Sequence, residues 1–160
     1  MKNLTIMTKA SNYQEILVKI KALLEFEDDW VSAMATVVCE LHHGLDYFHW
    51  TGFYRSVDEN TLKIGPYQGS HGCLKIDFSR GVCGKAAREH KTQLIADVNT
   101  VKDHIACSAS TVSEIVVPLI SNGKTVAVLD VDSDLKAAFD NDDKEGLETI
   151  CNYLTKKYFC

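Results

Sequence analysis

Two apolar segments, Glu114 to Ile120 and Thr125 to Asp132, flank a turn at Asn122 and Gly123, residues that tolerate the positive φ of a tight hairpin. In both segments apolar side chains fill intervening as well as alternate positions, which predicts central strands covered on two faces. The rest of the chain has to supply neighbouring strands and covering layers.

Between about Asn12 and Glu27, the residues Ile16, Ile20, Leu23 and Leu24 make one stripe of an amphipathic helix. Asp28 and Asp29 punctuate it. They can start a second helix, Trp30 to about His42, which carries Val31, Met34, Val38 and Leu41 at helical intervals and stops at Gly44. After Gly44 the period becomes two: Phe48, Trp50, Gly52 and Tyr54 point one way, while Tyr47, His49, Thr51, Phe53 and Arg55 point the other. A turn at Asp58, Glu59 and Asn60 leads into Leu62 to Tyr67, an antiparallel hairpin, and a short strand is expected near Leu74 to Ile76. Gly81 and Gly84 flank the start of a short helix, about Val82 to His90, and Gln93 to Ala96 returns to the sheet. No period is evident from Asp97 to Val112, and a loop that long inside a domain points to function. A last helix, about Asp142 to Tyr158, can pack Leu147, Ile150, Cys151 and Leu154 against the first two. With no linker or repeat, residues 1–160 read as one α+β domain: an antiparallel sheet of five or six strands with helices on one face and loops on the other.

At 160 residues and 46% apolar content the chain can bury a real core. A net charge of -5, with Lys and Arg scattered, leaves no basic stripe for a phosphate backbone, so no nucleic-acid partner is expected. No run approaches the roughly 20 apolar residues of a membrane span. The start MKNLTIMTKASNYQEI lacks the apolar core of a secretory signal, and a cytoplasmic location is expected. Cytosolic thiols are held reduced, so the six cysteines are weighed singly rather than as a disulfide framework. Cys39, Cys151 and Cys160 lie in or beside apolar helical segments and read as structural or incidental residues. Cys73, Cys83 and Cys107 sit among Gly, His, Ser and charged residues, where chemistry is more at home.

Alternation along the last strand puts Val126, Val128, Asp130 and Asp132 on one face, and the preceding strand puts Glu114 on the face of Val116. If the two strands are neighbours, three acids converge, and repulsion with burial would hold a proton on one of them near neutrality. The alternative is that these acids mark strand ends and face water. Such an acid suits a thiol reductant, because thiolate attack on a sulfoxide requires protonation of the departing oxygen. Cys107, in the run DHIACSAS with His104, is the candidate nucleophile, and Cys73 and Cys83 are candidates to condense with its sulfenic acid. Trp50 and Tyr54 share a strand face and read either as core or as an aromatic wall for a methyl thioether. A zinc site drawn from His71, Cys73, Cys83, His104 and Cys107 has no CxxC or His pair at ligand spacing behind it.

The segments WTGFY (Trp50 to Tyr54), GPYQG (Gly65 to Gly69) with Cys73 after it, and GVCG (Gly81 to Gly84) occur in order. DHIAC (Asp103 to Cys107), SEIVVP (Ser113 to Pro118) and VLDVDS (Val128 to Ser133) follow. Together they resemble free methionine-(R)-sulfoxide reductase, a GAF-type domain. The resemblance implies a GAF-type fold with Cys107 as nucleophile, Cys73 as principal resolving cysteine and Cys83 as a secondary partner. It further implies a pocket made by Glu114, Asp130 and Asp132 with Trp50 and Tyr54 as its aromatic wall. The implied substrate is free methionine sulfoxide, with a thioredoxin-type dithiol as reductant and no metal or organic cofactor. A homodimer through the terminal helices is compatible with the resemblance. The rival expectation is a GAF-type module that binds a small ligand or senses redox state without catalysis; no attached output domain is evident to support it.

Overall fold

The computed structural model describes residues 8–102, 105 and 110–160. Helix α1 spans Lys9–Leu23 and starts three residues before the expected point, because the Thr8 side chain accepts a hydrogen bond from the Ser11 amide. It also ends earlier than expected, and Leu23 points to solvent while Leu24 stays buried. Helix α2, Trp30–Gly44, begins where Asp29 caps it by accepting from the amides of Val31 and Ser32. Met34, Val38 and Leu41 are buried as expected, whereas Val31 is exposed.

Strands β1 (Trp50–Ser56), β2 (Thr61–Gln68) and β3 (Lys75–Asp77) are followed by helix α3 (Gly81–Glu89) and strand β4 (Gln93–Ile95). A single 3₁₀ turn, Val98–Thr100, sits at the start of the long loop. Strands β5 (Ser113–Ser121) and β6 (Lys124–Ser133) form the expected hairpin, and helix α4 spans Asn141–Tyr158. The six strands lie in the order β3-β2-β1-β6-β5-β4, each antiparallel to its neighbours. The hairpin β5–β6 is interior, with β4 outside it on one side and β1 on the other, which is why both its faces are apolar.

One face of the sheet presents Phe53, Ile115, Val117, Leu129 and Val131 to α1, α2 and α4, whose Ile20, Val37, Leu41, Leu147 and Ile150 are fully buried against it. The other face carries Trp50, Tyr54, Leu62, Val116 and Val128. It is covered by α3 and not by loops alone, which corrects the layer order expected from sequence. Small residues make this close approach possible: Cys83, Ala86 and Ala87 point into the second core. A Cβ on Gly84 would lie 2.6 Å from the Asp77 carbonyl oxygen and 2.8 Å from that of Phe78. The alternation expected from Tyr47 onward also starts late. Phe48 packs in the first core, with Phe139 and Phe53, and not on the Trp50 side, because residues 45–49 turn before β1 begins.

A buried polar knot ties α1 to α4. Asp143, fully buried, accepts hydrogen bonds from Tyr13 Oη at 2.9 Å and Tyr47 Oη at 2.5 Å and pairs with Lys9 Nζ at 2.6 Å. Its other role is local, since Asp140 and Asp143 form a reciprocal capping box at the start of α4. Among the described residues, no helix is long and apolar enough to cross a membrane.

Candidate active site

Strand register decides which side chains meet. Trp50 lies opposite Asp132, Gly52 opposite Asp130 and Tyr54 opposite Val128, while Glu114 lies opposite Asp132 and Val116 opposite Asp130. Paired residues share a sheet face, so the acids and aromatics expected to form a pocket stand together on the α3 side. The alternative in which the acids mark strand ends and face water is excluded by their exposure: 5% for Glu114, 6% for Asp130 and 8% for Asp132.

Three carboxyl groups held this close and this dry cannot all be charged without cost. Burial first, and then the nearby Asp132 and Glu114, push the Asp130 carboxyl well above the ordinary carboxylate range. Burial and Glu114 do the same to Asp132, against an opposing hydrogen bond from the Thr111 hydroxyl. Cys83, on α3, is a hydrogen-bond partner of Asp130, and burial followed by the charges of Asp130 and Glu114 pushes its thiol pKa up. Such a thiol is a proton donor to Asp130 and a poor thiolate. One carboxylate oxygen, Asp130 Oδ1, is buried with no hydrogen-bond partner among the described residues. The cluster therefore holds exchangeable protons and offers an acceptor to a further donor.

The aromatic side of the site is larger than the sequence indicated. Trp50 stacks on Tyr54 with ring centroids 5.9 Å apart, and also on Tyr67 at 5.5 Å. Its indole Nε1 donates to the Ser70 carbonyl at 2.9 Å, which fixes the ring plane. Gly52 makes the arrangement possible, because a Cβ there would sit 2.6 Å from Tyr67 Cβ, 2.8 Å from Trp50 Cζ3 and closer still to Trp50 Cη2. Burial, followed by the charges of Asp130, Cys83 and Asp132, drives the Tyr54 phenol far above its usual pKa, so it stays a neutral hydroxyl. The same oxygen accepts a hydrogen bond from the Cys73 backbone, which places Cys73 at the edge of the acid and aromatic cluster.

Cys73 is disulfide-bonded, whereas Cys39, Cys83, Cys151 and Cys160 carry free thiols. Cys107 and His104 lie outside the described residues. Cys39 and Cys160 are exposed and Cys151 is buried among the helices, away from the cluster. Two contributors are not marked in the sequence. Tyr67 is itself exposed between half-buried neighbours and has the pattern of an ordinary strand position. Gly52 carries no side chain to signal anything. Near the site's long loop, His49 Nε2 lies 2.8 Å from the hydroxyl of Ser110.

Residues 27–156 match the family model described as a GAF domain. The free methionine-R-sulfoxide reductase of Saccharomyces cerevisiae is 38% identical, over 94% of this chain and 87% of its own. The Escherichia coli protein of the same name is 35% identical, over 94% of this chain and 90% of its own. The structure of free methionine-R-sulfoxide reductase from Neisseria meningitidis in complex with its substrate superposes with a TM-score of 0.91 at 39% identity, covering 96% of this chain and 92% of that one. With a GAF-domain match over residues 27–156 and relatives 35% and 38% identical over 94% of its length, the chain belongs to the free methionine-R-sulfoxide reductase family of GAF domains.

Proposed function

We propose that this protein reduces free L-methionine (R)-sulfoxide to methionine. The observation that carries the reading is the convergence of three buried acids, two with raised pKa, beside Trp50 and Tyr54 on one sheet face. A free amino acid brings an ammonium group, for which the acids are the natural seat. Its methyl sulfoxide sulfur interacts well with aromatic rings, and its oxygen needs a proton.

In the proposed sequence the Cys107 thiolate attacks the sulfoxide sulfur, and Glu114 or Asp132 delivers the proton to the oxygen. Methionine leaves, and the oxygen remains on Cys107 as a sulfenic acid. Cys73 then condenses with that sulfenic acid, releasing water and forming a disulfide, which a thioredoxin-type dithiol returns to two thiols by exchange. The disulfide-bonded state of Cys73 supports it as the resolving partner. The buried thiol of Cys83, held neutral beside Asp130, is less suited to that step. No step draws on a metal or organic cofactor.

The test is turnover of the two methionine sulfoxide epimers, free and peptide-bound, with a dithiol reductant. Reduction confined to the free R epimer is expected. Binding of methionine without turnover of any epimer would replace this reading by that of a ligand-binding GAF module.

A further inference from the structure

Among the described residues, one group of side chains brings three potential metal-ligating atoms together. The Cys83 Sγ and one oxygen each of Glu114 and Asp130 lie within 4.8 Å of one another, and all three residues are buried. Asp130 Oδ1, also buried, has no hydrogen-bond partner among the described residues. A buried acceptor in that state costs about 1–3 kcal/mol, a penalty that a donor or a metal ion would remove. No Lys or Arg among the described residues forms an ion pair with Asp130 or Asp132.

We propose that the reduced protein binds one zinc ion through Cys83, Glu114 and Asp130, and that the ion and the amino-acid substrate exclude each other. The binding stands on the geometry alone; the exclusion rests on the function proposed above. A sulfur ligand with two carboxylates suits zinc, whereas magnesium and calcium prefer all-oxygen shells. Zinc–sulfur bonds of about 2.3 Å and zinc–oxygen bonds of about 2.0–2.2 Å put tetrahedral ligand atoms roughly 3.5 Å apart. From separations of up to 4.8 Å the three donors draw in by at most about 1.3 Å, a shift within the reach of side-chain rotation. On binding, the Cys83 thiol proton and the protons held by the acids pass to solvent, with no change of oxidation state. Like-charge repulsion, which disfavours ionisation of the metal-free cluster, becomes attraction around a dication. The ammonium of a bound amino acid would need the same oxygens.

The test is equilibrium dialysis of the full chain, kept reduced by a phosphine, against zinc, with bound metal counted by elemental analysis. One zinc per chain is expected, with affinity falling by more than the roughly 10–100-fold cost of losing an outer-shell partner in both Asp130→Asn and Cys83→Ser. Cys73→Ser, Cys107→Ser and the pair Cys39→Ser with Cys160→Ser should bind as wild type does. Cobalt, used as a coloured substitute, should give a thiolate charge-transfer band that disappears in Cys83→Ser. This band keeps the test decisive if Asp130→Asn does not fold. Unchanged binding in Cys83→Ser, or loss of binding in Cys73→Ser or in the exposed pair, would overturn the site. Free methionine should displace the zinc; failure to do so would overturn the exclusion. Sulfoxide turnover by the metal-free protein, measured separately, keeps failure of the zinc site distinct from failure of the proposed activity.

Discussion

Replacing Gly52 by alanine adds one methyl group and should disable the aromatic wall. The new Cβ would lie 2.6 Å from Tyr67 Cβ and 2.8 Å from Trp50 Cζ3. The first is a side-chain carbon fixed directly to the β2 backbone, and the second belongs to an indole anchored by its bond to the Ser70 carbonyl. Because the strand is paired on both sides, with Tyr67 in β2 and Asp130 in β6, the indole is the part that must move. Moving it gives up two ring stacks worth about 0.5–1.5 kcal/mol each and a hydrogen bond of similar size. A destabilisation of about 2–4 kcal/mol follows, in the range of other overpacked sites. For a chain of this length it should lower Tm by about 5–15 °C. Substrate KM should rise by tenfold or more, since each 1.4 kcal/mol of binding is about a factor of ten. The assay combines thermal melts, Trp fluorescence and steady-state kinetics, with Gly123→Ala as comparison. Gly123 has open space around it and only its φ of +73 to resist a side chain, so its cost should stay at about 1–2 kcal/mol, with KM unchanged. A Gly52→Ala protein with wild-type Tm and KM would show that Trp50 does not hold the position that the stacking argument needs.

Cys107→Ser should abolish methionine formation even in a single turnover without reductant, whereas Cys73→Ser should complete the first turnover and stall in recycling; quench-flow product yields with both variants distinguish the roles, and equal yields would refute them. Glu114→Gln and Asp132→Asn should lower kcat by about 10²–10⁴ with little change in methionine binding by calorimetry, and wild-type rates in both would place the proton donor elsewhere. Asp130 has a folded pKa raised by burial and by Asp132 and Glu114. Stability is therefore lost as pH rises from the unfolded carboxylate value, about 3.9, through the raised value. Asp130→Asn should accordingly melt above wild type at pH 7, with the two curves meeting near pH 4. A gap that is the same at both pH values would contradict the buried-charge account.

The sheet, its hairpins and the three long helices were legible because each depends on local order. Alternation in β1 and β6, the Asn122 and Gly123 turn, and the Asp29 cap act within a few residues and leave their marks there. Face parity put Asp130 and Asp132 on one side of β6 and Glu114 on the side of Val116 in β5, but their convergence was conditional on the two strands being neighbours, which the structure supplied. The errors have a common origin. Helix α3 is short and its buried side is small, so its own pattern said nothing about which face it covers. That depended on Gly84 meeting the carbonyls of residues 77 and 78.

What the chain alone determined is which side chains share a face and which residue types suit a sulfoxide: thiols, acids and aromatic rings. Only the tertiary structure decided that Glu114 stands opposite Asp132 across β5 and β6, that Cys83 reaches Asp130 from another element, and that Tyr67 completes the stack on Trp50. The physical reason is that periodicity constrains a residue relative to its own strand or helix. Distances between elements are settled by packing of the two cores, in which a missing Cβ counts as much as a side chain.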